Sequence, residues 1–255
     1  MGILQSKQLW ATEYRFMNDA SEIELGLRRA KQIVRSLKLR EKVDRRRRFL
    51  ERLLRKLDDE EDKSSYVISL TEERDDLSQW RGYANNGLGY VLGFDANCIN
   101  EIAKNDTQSF GKVYYRSADQ ENILNQSIGD MYDYMNKERK GSPRISDMEE
   151  CCDELEAVIS SLAASFKHFS FASENEWRLH HYPENADIRV RAAAGKLIPY
   201  VPVNLYCENT DFPLCSIGIG PGFRAKENRY ALEQLLKQNS VEAEIYFAST
   251  PYRPA

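Results

Sequence analysis

The clearest pattern of hydrophobic and polar positions lies in residues 66–95. Residues 66–71 (YVISLT) begin with aromatic and β-branched side chains, which are typical of a short strand. Residues 88–94 (LGYVLGF) form a second apolar run of strand length, and the residues between the two runs are mostly polar. The pattern therefore predicts two strands with a polar connection between them. A polar segment held between rigid elements is a common place for a functional site.

A short helix is predicted inside this connection. Asp75 and Asp76 supply the acceptor and the negative charge that favour a helix start. Trp80 and Tyr83 follow at helical spacing on one face, and residues 85–87 (NNG) end the helix because Asn and Gly tolerate the left-handed conformation. The pattern leaves two interpretations open for the two aromatic side chains. They either belong to the core or line a ligand site beside the polar loop.

Two other stretches predict long helices. Residues 21–57 keep apolar positions at helical spacing except around residues 45–48, which predicts one long or broken helix. Residues 119–166 predict two helices joined by a linker at residues 137–146 that combines charge, Gly and Pro. We therefore expect two helical insertions, a basic one at about residues 21–62 and a second at about residues 119–166.

Further strands are predicted where short apolar or alternating runs are bounded by turn residues. Pro199 and Pro202 indicate an edge position for one of them, because proline cannot donate a ladder hydrogen bond. These elements predict an α+β fold with a mixed, mostly antiparallel sheet or split barrel, and we expect residues 1–255 to form a single domain. The additional strands are residues 8–13, 111–116, 176–181, 188–194, 197–203, 214–219 and 244–247.

Composition excludes several classes of protein. The chain has 255 residues and 42% hydrophobic content, which is enough for a core and argues against global disorder. No apolar run approaches the roughly 20 residues of a membrane span, and no apolar signal segment opens the chain. The five cysteines include no C-x-x-C pair, which favours free thiols over a disulfide framework or a zinc site. We therefore expect a cytoplasmic protein with no membrane role.

The net charge of −4 conceals one basic segment. Residues 28–56 carry 14 Lys and Arg against three acidic residues, a balance of +11, so the rest of the chain must carry −15 to give the total of −4. One interpretation is that this helix contacts the phosphates of a nucleic acid. The other is a solvated helix face that the acidic run at residues 58–62 partly neutralises. The arginines that would contact nucleic acid are Arg45, Arg46, Arg47, Arg48, Arg52 and Arg55.

Residues 174–181 carry the other side chains with catalytic potential. Alternate residues of a strand point to opposite faces, so Glu174 and Glu176 would point the same way if the strand begins at Glu174. Two carboxylates on one face can orient a substrate and stabilise a developing positive charge. The alternative is an exposed strand edge with its charges in solvent. His180 and His181 would face opposite ways, and with no third ligand at characteristic spacing we predict no metal.

A glycine-rich turn follows the strand predicted at residues 214–219 and precedes a helix predicted at about residues 226–237. Residues 218–222 (GIGPG) offer backbone N–H groups to an anion. They match neither the G-x-G-x-x-G pattern nor the P-loop. We therefore favour a tight turn over a phosphate-binding loop.

The chain resembles a widespread and largely uncharacterised bacterial family, domain of unknown function 2971. The resemblance extends over nearly the whole chain and is most specific in its central block. The matching segments are NDASE (18–22), SLTEERDDLSQWRGYANNGLGYVLGFD (69–95), ENEWRL (174–179), IGIGPGF (217–223) and STPYR (249–253).

Two of these segments also resemble the motifs of ADP-ribosyltransferases. That superfamily carries S-x-S/T or an aromatic residue on a second strand, and Ser69-Leu70-Thr71 fits this motif. A later strand carries E-x-E or Q-x-E, which Glu174-Asn175-Glu176 fits. The resemblance implies that Ser69 and Thr71 brace the ribose on the nicotinamide side of NAD. It implies that Glu176 holds the ribose 2′-hydroxyl and stabilises an oxocarbenium-like transition state, while Glu174 orients the acceptor.

The same resemblance implies an earlier strand whose Arg or His grips the dinucleotide. The chain begins at Met1 within the short helix that should follow that strand, so either the chain is truncated or this version lacks the anchor. A missing strand would expose a sheet edge and favour association with another chain.

These observations predict two functions. The first is an ADP-ribosyltransferase-like, NAD-consuming effector of a toxin or phage-defence kind, with an ADP-ribosyltransferase-like fold and a site that includes Trp80 and Tyr83. Its substrate would be NAD and its acceptor a nucleic acid or a protein. The second is a non-catalytic nucleic-acid-binding module acting through residues 28–56. A third interpretation combines them, with the basic helix recruiting a nucleic-acid substrate to the catalytic strand.

Overall fold

The chain folds into two compact units. The computed structural model describes residues 2–17, 21–59, 65–104, 108–137, 145–181, 187–193, 195–206, 212–222 and 225–252. The first unit, here called the sheet unit, comprises residues 1–12, 66–110 and 174–255. The second, the helical unit, comprises residues 13–65 and 111–173 and covers both predicted helical insertions. The α+β class predicted from the sequence is confirmed.

The order of elements follows the predicted one closely. Five strands, at residues 8–13, 66–71, 176–181, 214–219 and 244–247, have the predicted bounds. Two short 3₁₀ segments occupy Tyr14–Phe16 and Phe169–Glu174. The helices are α1 (Gly2–Ser6), α2 (Ser21–Arg40), α3 (Asp44–Asp59), α4 (Leu77–Tyr83), α5 (Ala96–Ile102), α6 (Ser117–Lys137), α7 (Ile145–Ala164) and α8 (Ala225–Gln238). The strands are β1 (Gln8–Glu13), β2 (Tyr66–Thr71), β3 (Tyr90–Phe94), β4 (Gln108–Lys112), β5 (Glu176–His181), β6 (Arg189–Ala193), β7 (Lys196–Asn204), β8 (Leu214–Ile219) and β9 (Glu244–Phe247).

The strands form two sheets. One has six strands in the order β4-β5-β2-β1-β7-β6, and the other has three in the order β3-β8-β9. The β1–β7, β2–β5, β6–β7 and β3–β8 pairs are antiparallel, and β8–β9 is parallel. This arrangement confirms the mixed, mostly antiparallel prediction, and the described strands do not close into a barrel.

The two prolines of β7 predicted an edge strand, and that prediction is wrong. β7 lies between β1 and β6. Pro199 pairs with Val190 of β6 but lies beyond the last residue pair with β1, and Pro202 pairs with Trp10 of β1 but lies beyond the last pair with β6. Each proline therefore has a ladder partner on one side only. An internal strand tolerates these prolines because, at each of them, β7 is paired with a neighbouring strand on one side only.

One face of the six-stranded sheet packs into the core of the sheet unit. Alternate residues of a strand point to opposite faces, so the same strands also present a second, non-core face. On β2 and β5 that second face carries the polar motif residues. The core side chains are Leu9 and Ala11 of β1, Tyr66 and Ile68 of β2, Leu179 of β5, Val201 and Val203 of β7, Leu214, Ile217 and Ile219 of β8, Ile99 and Ile102 of α5, and Leu232 and Leu236 of α8.

The helical unit has a hydrophobic core of its own. Its four long helices, α2, α3, α6 and α7, pack their apolar faces together. The broken-helix alternative for residues 21–57 is the one observed. The break lies at Glu41, whose Oε1 accepts hydrogen bonds from the backbone N–H groups of Lys42 and Val43 at 2.9 Å each. The Glu41 side chain thereby replaces the main-chain acceptors that these two N–H groups would have in a continuous helix.

The strand predicted at residues 111–116 is displaced. β4 ends at Lys112, and Tyr114 instead forms an isolated parallel bridge with Phe166 inside the helical unit. The linker predicted at residues 137–146 lies largely outside the described residues, between the end of α6 and the start of α7.

Candidate functional site

The paired strands β2 and β5 bring the two predicted motifs together in the sheet unit. Thr71 lies opposite Glu176, and Ser69 lies opposite Arg178 two residue pairs further along, on the same face. The core residues Ile68 and Leu179 are paired on the other face. Because directly opposed residues of an antiparallel pair lie about 5 Å apart, Ser69, Thr71 and Glu176 are neighbours on one surface of the sheet.

Glu176 is engaged by an arginine of its own strand. Arg178 Nε donates to Glu176 Oε1 at 2.7 Å, and Arg178 Nη2 donates to Oε2 at 3.1 Å. Both side chains are almost fully buried. A bidentate guanidinium fixes the plane of a carboxylate and partly neutralises its charge.

Ser69 and Thr71 occupy different environments. Ser69 is exposed, and its hydroxyl has no hydrogen-bond partner among the described residues. Thr71 is half-buried, and its hydroxyl donates to the carbonyl oxygen of Glu174 at 2.6 Å and accepts from the backbone N–H of Glu73 at 3.0 Å. Thr71 therefore joins the end of β2 to the residues before β5, whereas Ser69 is available to a ligand.

Glu174 does not share the strand geometry of Glu176. The structure starts β5 at Glu176, and Glu174 is the last residue of the preceding 3₁₀ segment. Between them Asn175 has a φ of 41°, in the left-handed region. The strict alternation that would have pointed both glutamates the same way therefore does not extend to Glu174. Glu174 instead lies beside Thr71 through its backbone carbonyl.

The two aromatic residues of α4 separate rather than sharing a buried face. Trp80 is 3% exposed, and its indole N–H donates to Asp75 Oδ1 at 2.6 Å. Tyr83 is 60% exposed near the end of this seven-residue helix. The core interpretation thus holds for Trp80, and only Tyr83 presents a ring to solvent. The predicted end of the helix is confirmed, because Asn85, Asn86 and Gly87 all have positive φ.

Asp75, which the sequence predicted as part of a helix start, is a centre of hydrogen bonding to residues distant in the sequence. Its Oδ2 accepts from the N–H of Ser249 at 2.6 Å, the Ser249 hydroxyl at 2.7 Å and the N–H of Thr250 at 3.1 Å. Its Oδ1 accepts from Thr250 Oγ1 at 3.0 Å and from Trp80. Desolvation raises the pKa of Asp75, but these hydrogen bonds outweigh it and lower the pKa to about 2. In the sequence, the adjacent hydroxyl residues Ser249 and Thr250 were the signal that an acceptor side chain would lie close to them.

Arg74 forms a second connection to the same terminal region. Its Nη2 lies 2.5 Å from Glu244 Oε2, and its guanidinium lies 3.9 Å from the centroid of the Tyr246 ring. The Tyr246 hydroxyl donates to the Arg74 carbonyl oxygen at 3.0 Å. The consecutive residues Arg74 and Asp75 therefore both hold the C-terminal part of the sheet unit, which gives this part of the central motif a structural role.

The glycine-rich segment after β8 directs two of its backbone N–H groups at protein acceptors, which favours the tight-turn interpretation over a phosphate-binding loop. The backbone N–H of Gly220 donates to the carbonyl of Gly89 at 3.0 Å, and that of Gly222 donates to the carbonyl of Gly87 at 3.0 Å. These two donors are therefore occupied by protein and are not directed at an anion. The turn packs against the loop that follows α4, so two of the matching segments contact each other.

Two of the arginines predicted to bind nucleic acid are paired with acids inside the helical unit. Arg46 Nε lies 3.2 Å from Glu41 Oε2, and its guanidinium lies 4.6 Å from the centroid of the Tyr132 ring. Arg52 Nη1 lies 3.7 Å from Glu149 Oε2 of α7. These contacts reduce the positive charge that α3 presents to solvent.

The other four arginines differ in how much charge they expose. Arg47, Arg48 and Arg55 are exposed, and Arg47 Nη2 donates to the carbonyl of Glu41 at 3.1 Å. Arg48 and Arg55 have no ion pair within the described ranges. Arg45 is half-buried, and its Nε and Nη2 have no hydrogen-bond partner in that part of the chain.

Acidic residues also neutralise α2. Asp58 Oδ1 lies 3.2 Å from Lys31 Nζ and 3.9 Å from Arg35 Nη2. Lys38 Nζ lies 3.1 Å from Glu51 Oε1. The solvated and partly neutralised interpretation therefore describes much of the basic segment, and the exposed side of α3 at Arg48 and Arg55 is one part that has no acidic partner among the described residues.

His180 and His181 lie on opposite faces of β5, as predicted. His180 shares its face with Glu176 and Arg178 and is fully buried. Burial lowers the pKa of His180 to about 3, with the charge of Arg178 acting in the same direction and Glu176 opposing it. Burial also lowers the pKa of half-buried His181. Within the described ranges, no group of three His, Cys, Asp or Glu side chains is placed to hold a metal ion.

Comparison with known proteins gives one match. Residues 79–179 match the model of the family described as Protein of unknown function (DUF2971). The match begins in α4 next to Trp80 and ends in β5 after Arg178. No curated protein and no solved structure matches the chain significantly. Among the described residues, no helix combines the length and the apolar character that crossing a membrane requires.

Proposed function

We propose that the polar face of β2 and β5 is the active face of an ADP-ribosyltransferase-like enzyme that consumes NAD. The observation that carries the proposal is the strand register, which places Thr71 opposite Glu176 and Ser69 two residue pairs further along, on the same face. Two three-residue motifs separated by about 100 positions in the sequence thus become neighbours on one surface, as the proposed chemistry requires.

The reaction breaks the bond between the nicotinamide nitrogen and C1′ of the ribose. The bonding electron pair leaves with nicotinamide, and the positive charge moves to the ribose as an oxocarbenium-like centre. An acceptor nucleophile then bonds to C1′ and loses a proton to a nearby base or to water. A carboxylate beside C1′ interacts more strongly with this transition state than with the ground state.

In this proposal Glu176 is the carboxylate that takes that role. The Glu176 carboxylate accepts the ribose 2′-hydroxyl, while Arg178 fixes the carboxylate in plane. Arg178 is thus a positioning residue. Ser69 presents an exposed hydroxyl to the same ribose. Thr71 stabilises the contact between the end of β2 and the residues before β5 through its hydrogen bond to the Glu174 carbonyl. Glu174, held next to Thr71 through its backbone, would receive the acceptor proton.

The test is nicotinamide release from NAD, followed chromatographically with and without a cell lysate as the source of acceptor. Ser69→Ala is the cleanest variant, because Ser69 is exposed and its hydroxyl has no partner in the described part of the chain. We expect a loss of about fivefold to tenfold, the value of one hydrogen bond of about 1 to 1.4 kcal/mol. Glu176→Gln should reduce the rate by about 100-fold or more.

A matched control is Ser170→Ala, which removes an exposed hydroxyl from the helical unit. It should release nicotinamide at the wild-type rate. The thermal midpoint of each variant separates a catalytic loss from a folding loss. Equal rates for wild type and Ser69→Ala would overturn the proposed role of this face, as would the absence of release by the wild-type chain in both conditions.

A second candidate function is binding of nucleic acid along α3. The observation that favours it is the uncompensated pair Arg48 and Arg55, which are exposed and lie seven residues apart on one side of the helix. Fluorescence anisotropy with a labelled duplex at several salt concentrations tests it. If each arginine contacts one phosphate, Arg48→Gln with Arg55→Gln should lower the slope of log affinity against log salt by about 1.8. An unchanged slope would exclude α3 as the contact.

A further inference from the structure

A pocket of about 520 Å³ lies wholly within the helical unit. Its volume is in the range of sites for small ligands. α2 forms one wall, the start of α6 another, and the segment after α7 a third. The lining residues are Leu25, Gly26, Arg28, Arg29, Gln32, Tyr115, Arg116, Ser117, Gln120, Phe166, Lys167, His168 and Phe169.

The floor of the pocket is a fixed structure. Tyr114 and Phe166 form a parallel bridge, in which the N–H of Tyr114 donates to the carbonyl of Ser165 at 2.8 Å and the N–H of Lys167 donates to the carbonyl of Tyr114 at 3.1 Å. The buried amide of Gln120 donates to the carbonyls of Tyr114 at 2.7 Å and Lys167 at 3.3 Å. These bonds hold the segments that carry Arg116 and His168 side by side.

The α2 wall is held close to the end of α7 by a glycine. A Cβ added at Gly26 would overlap the carbonyl oxygen of Ala163, so only glycine permits this approach. Arg28 and Arg29 lie two and three residues after Gly26, on the wall of the pocket. The position of these two arginines is therefore set by helix packing rather than by a loop.

The lining is strongly cationic. Arg28, Arg29, Arg116 and Lys167 all contribute to it, and no acidic side chain belongs to the described lining. Arg28 and Arg116 have no ion pair among the described residues, in contrast to most basic residues of α2 and α3. Arg29 Nη2 lies 3.6 Å from Glu121, and its Nε is buried without a hydrogen-bond partner in the same part of the chain. Guanidinium groups left unpaired around a cavity indicate an anionic ligand.

Two other features of the lining indicate what the anion is attached to. Ser117 begins the 21-residue helix α6, whose positive dipole end adds to the arginine charge. Phe169 is 63% exposed and lies on the lining together with Tyr115. An exposed aromatic ring beside arginines favours a planar group next to the anion, because bases stack on aromatic side chains.

We propose that this pocket binds a nucleoside phosphate, with the phosphate groups between Arg28 and Arg116 and the base against Phe169. The site is distinct in sequence from the β2–β5 face, and the inference does not depend on the function proposed above. The chemistry that recognises the ligand is the combination of unpaired guanidinium groups with an exposed aromatic ring.

Isothermal titration of the full chain with ATP, AMP, inorganic pyrophosphate and adenosine tests the proposal. We expect ATP to bind more tightly than AMP, and pyrophosphate and adenosine each to bind more weakly than ATP by tenfold or more. Arg28→Gln with Arg116→Gln should weaken ATP binding by about 100-fold, since each charged contact contributes about tenfold. Phe169→Ala should weaken ATP binding without changing pyrophosphate binding.

The matched control is Arg40→Gln with Lys42→Gln, which removes the same charge from exposed positions of the same unit. It should bind ATP as the wild type does. Circular dichroism checks that each variant keeps its helical content. Equal weakening by the two double variants would attribute binding to net charge and overturn the proposal. Absence of binding by both ATP and pyrophosphate would also overturn the proposal. Binding of pyrophosphate as tight as that of ATP would mean that the base makes no contact, and it would overturn the assignment of a nucleoside phosphate.

Discussion

Arg178 holds both carboxylate oxygens of Glu176 from two positions further along the same strand, with Nε–Oε1 and Nη2–Oε2 distances of 2.7 and 3.1 Å. The two side chains are 4% and 6% exposed. A buried ion pair recovers the cost of desolvating its charges only when its geometry is good. Its net contribution to folding can thus be small, whereas removal of one member leaves a buried charge uncompensated.

Removal of either member should therefore destabilise the chain more than removal of both. We expect Glu176→Gln and Arg178→Gln each to lower the free energy of unfolding by about 3 kcal/mol, and the double variant Glu176→Leu with Arg178→Met to lower it by less than either single variant. Urea unfolding at pH 7 provides the comparison.

The exposed pair Arg229–Glu233 is the control for that experiment. Its Nε–Oε1 distance is also short, 3.0 Å, but its side chains are 46% and 41% exposed. Replacement of Glu233 by Gln should change the free energy of unfolding by only about 0.3 to 0.5 kcal/mol. A cost at Glu176 no larger than this would contradict the burial-based argument.

Asp75 should make the stability of the chain sensitive to acid. Its folded pKa of about 2 lies below its ordinary value of 3.8, so its contribution is present above about pH 4 and is lost as the pH falls towards 2. We expect that contribution to be about 1 to 2 kcal/mol, allowing for partial exposure to solvent. Asp75→Asn should be less stable than wild type at pH 7, and the difference should shrink by pH 3. Asp76→Asn, which keeps an efficient helix cap, should show little difference at either pH.

His180 should produce a second pH dependence in a different window. Its folded pKa of about 3 lies below the unfolded value of about 6.5, so between these values the unfolded chain binds the additional proton. Stability should therefore fall as the pH is lowered from 6.5, by up to about 1.4 kcal/mol per pH unit. His180→Gln should flatten this slope between pH 4 and 6 in urea unfolding. His168→Gln, at an exposed position, should leave it unchanged, and a slope that survives His180→Gln would assign the effect to other groups.

The contact between the two glycine-containing turns should not tolerate a methyl group. A Cβ at Gly220 would overlap the carbonyl oxygen of Gly87 and lie 3.0 Å from that of Gly89, and both neighbours are backbone. We expect Gly220→Ala to cost about 2 to 4 kcal/mol in thermal or urea unfolding, as overpacking against atoms that cannot move aside does. Gly129→Ala is the opposite case, because a Cβ there meets nothing within 4 Å and the position is inside α6. It should stabilise the chain by about 0.5 to 1 kcal/mol.

Local sequence signals predicted those features whose causes are local. Asp76 accepts the N–H of Gln79 at 3.0 Å and begins α4, as its position before the apolar residues indicated. Asn85 and Asn86 end that helix in the left-handed conformation. Strand bounds such as those of β1 follow from alternating burial. In each case the determining contacts lie within a few residues of the chain.

Features determined by distant contacts were not predicted. Asp75 is fixed by Ser249 and Thr250, near the other end of the sequence, and no local pattern records that pairing. Arg52 is paired with Glu149 of α7, so the charge count of the basic segment overstated the positive charge available to a nucleic acid. Asn175 has a left-handed conformation that interrupts the strand alternation before β5. Glu174 and Glu176 therefore do not lie on one face of a single strand, as the sequence predicted.

The interleaving of the two units has a consequence for the order in which the nascent chain can fold. The helical unit is complete in sequence once Ser173 has been synthesised, whereas β1 still lacks the neighbour β7, with which Gln8 pairs through Asn204. We expect the helical core to form first and the N-terminal strand to wait, with its apolar side chains Leu9 and Ala11 uncovered, until the last third of the protein leaves the ribosome. Proteolysis of stalled chains would reveal this order: chains ending after Ser173 should yield a resistant helical fragment, and protection of β1 should begin only after Asn204. β1, which is synthesised before the helical unit, would then be among the last strands to be stabilised.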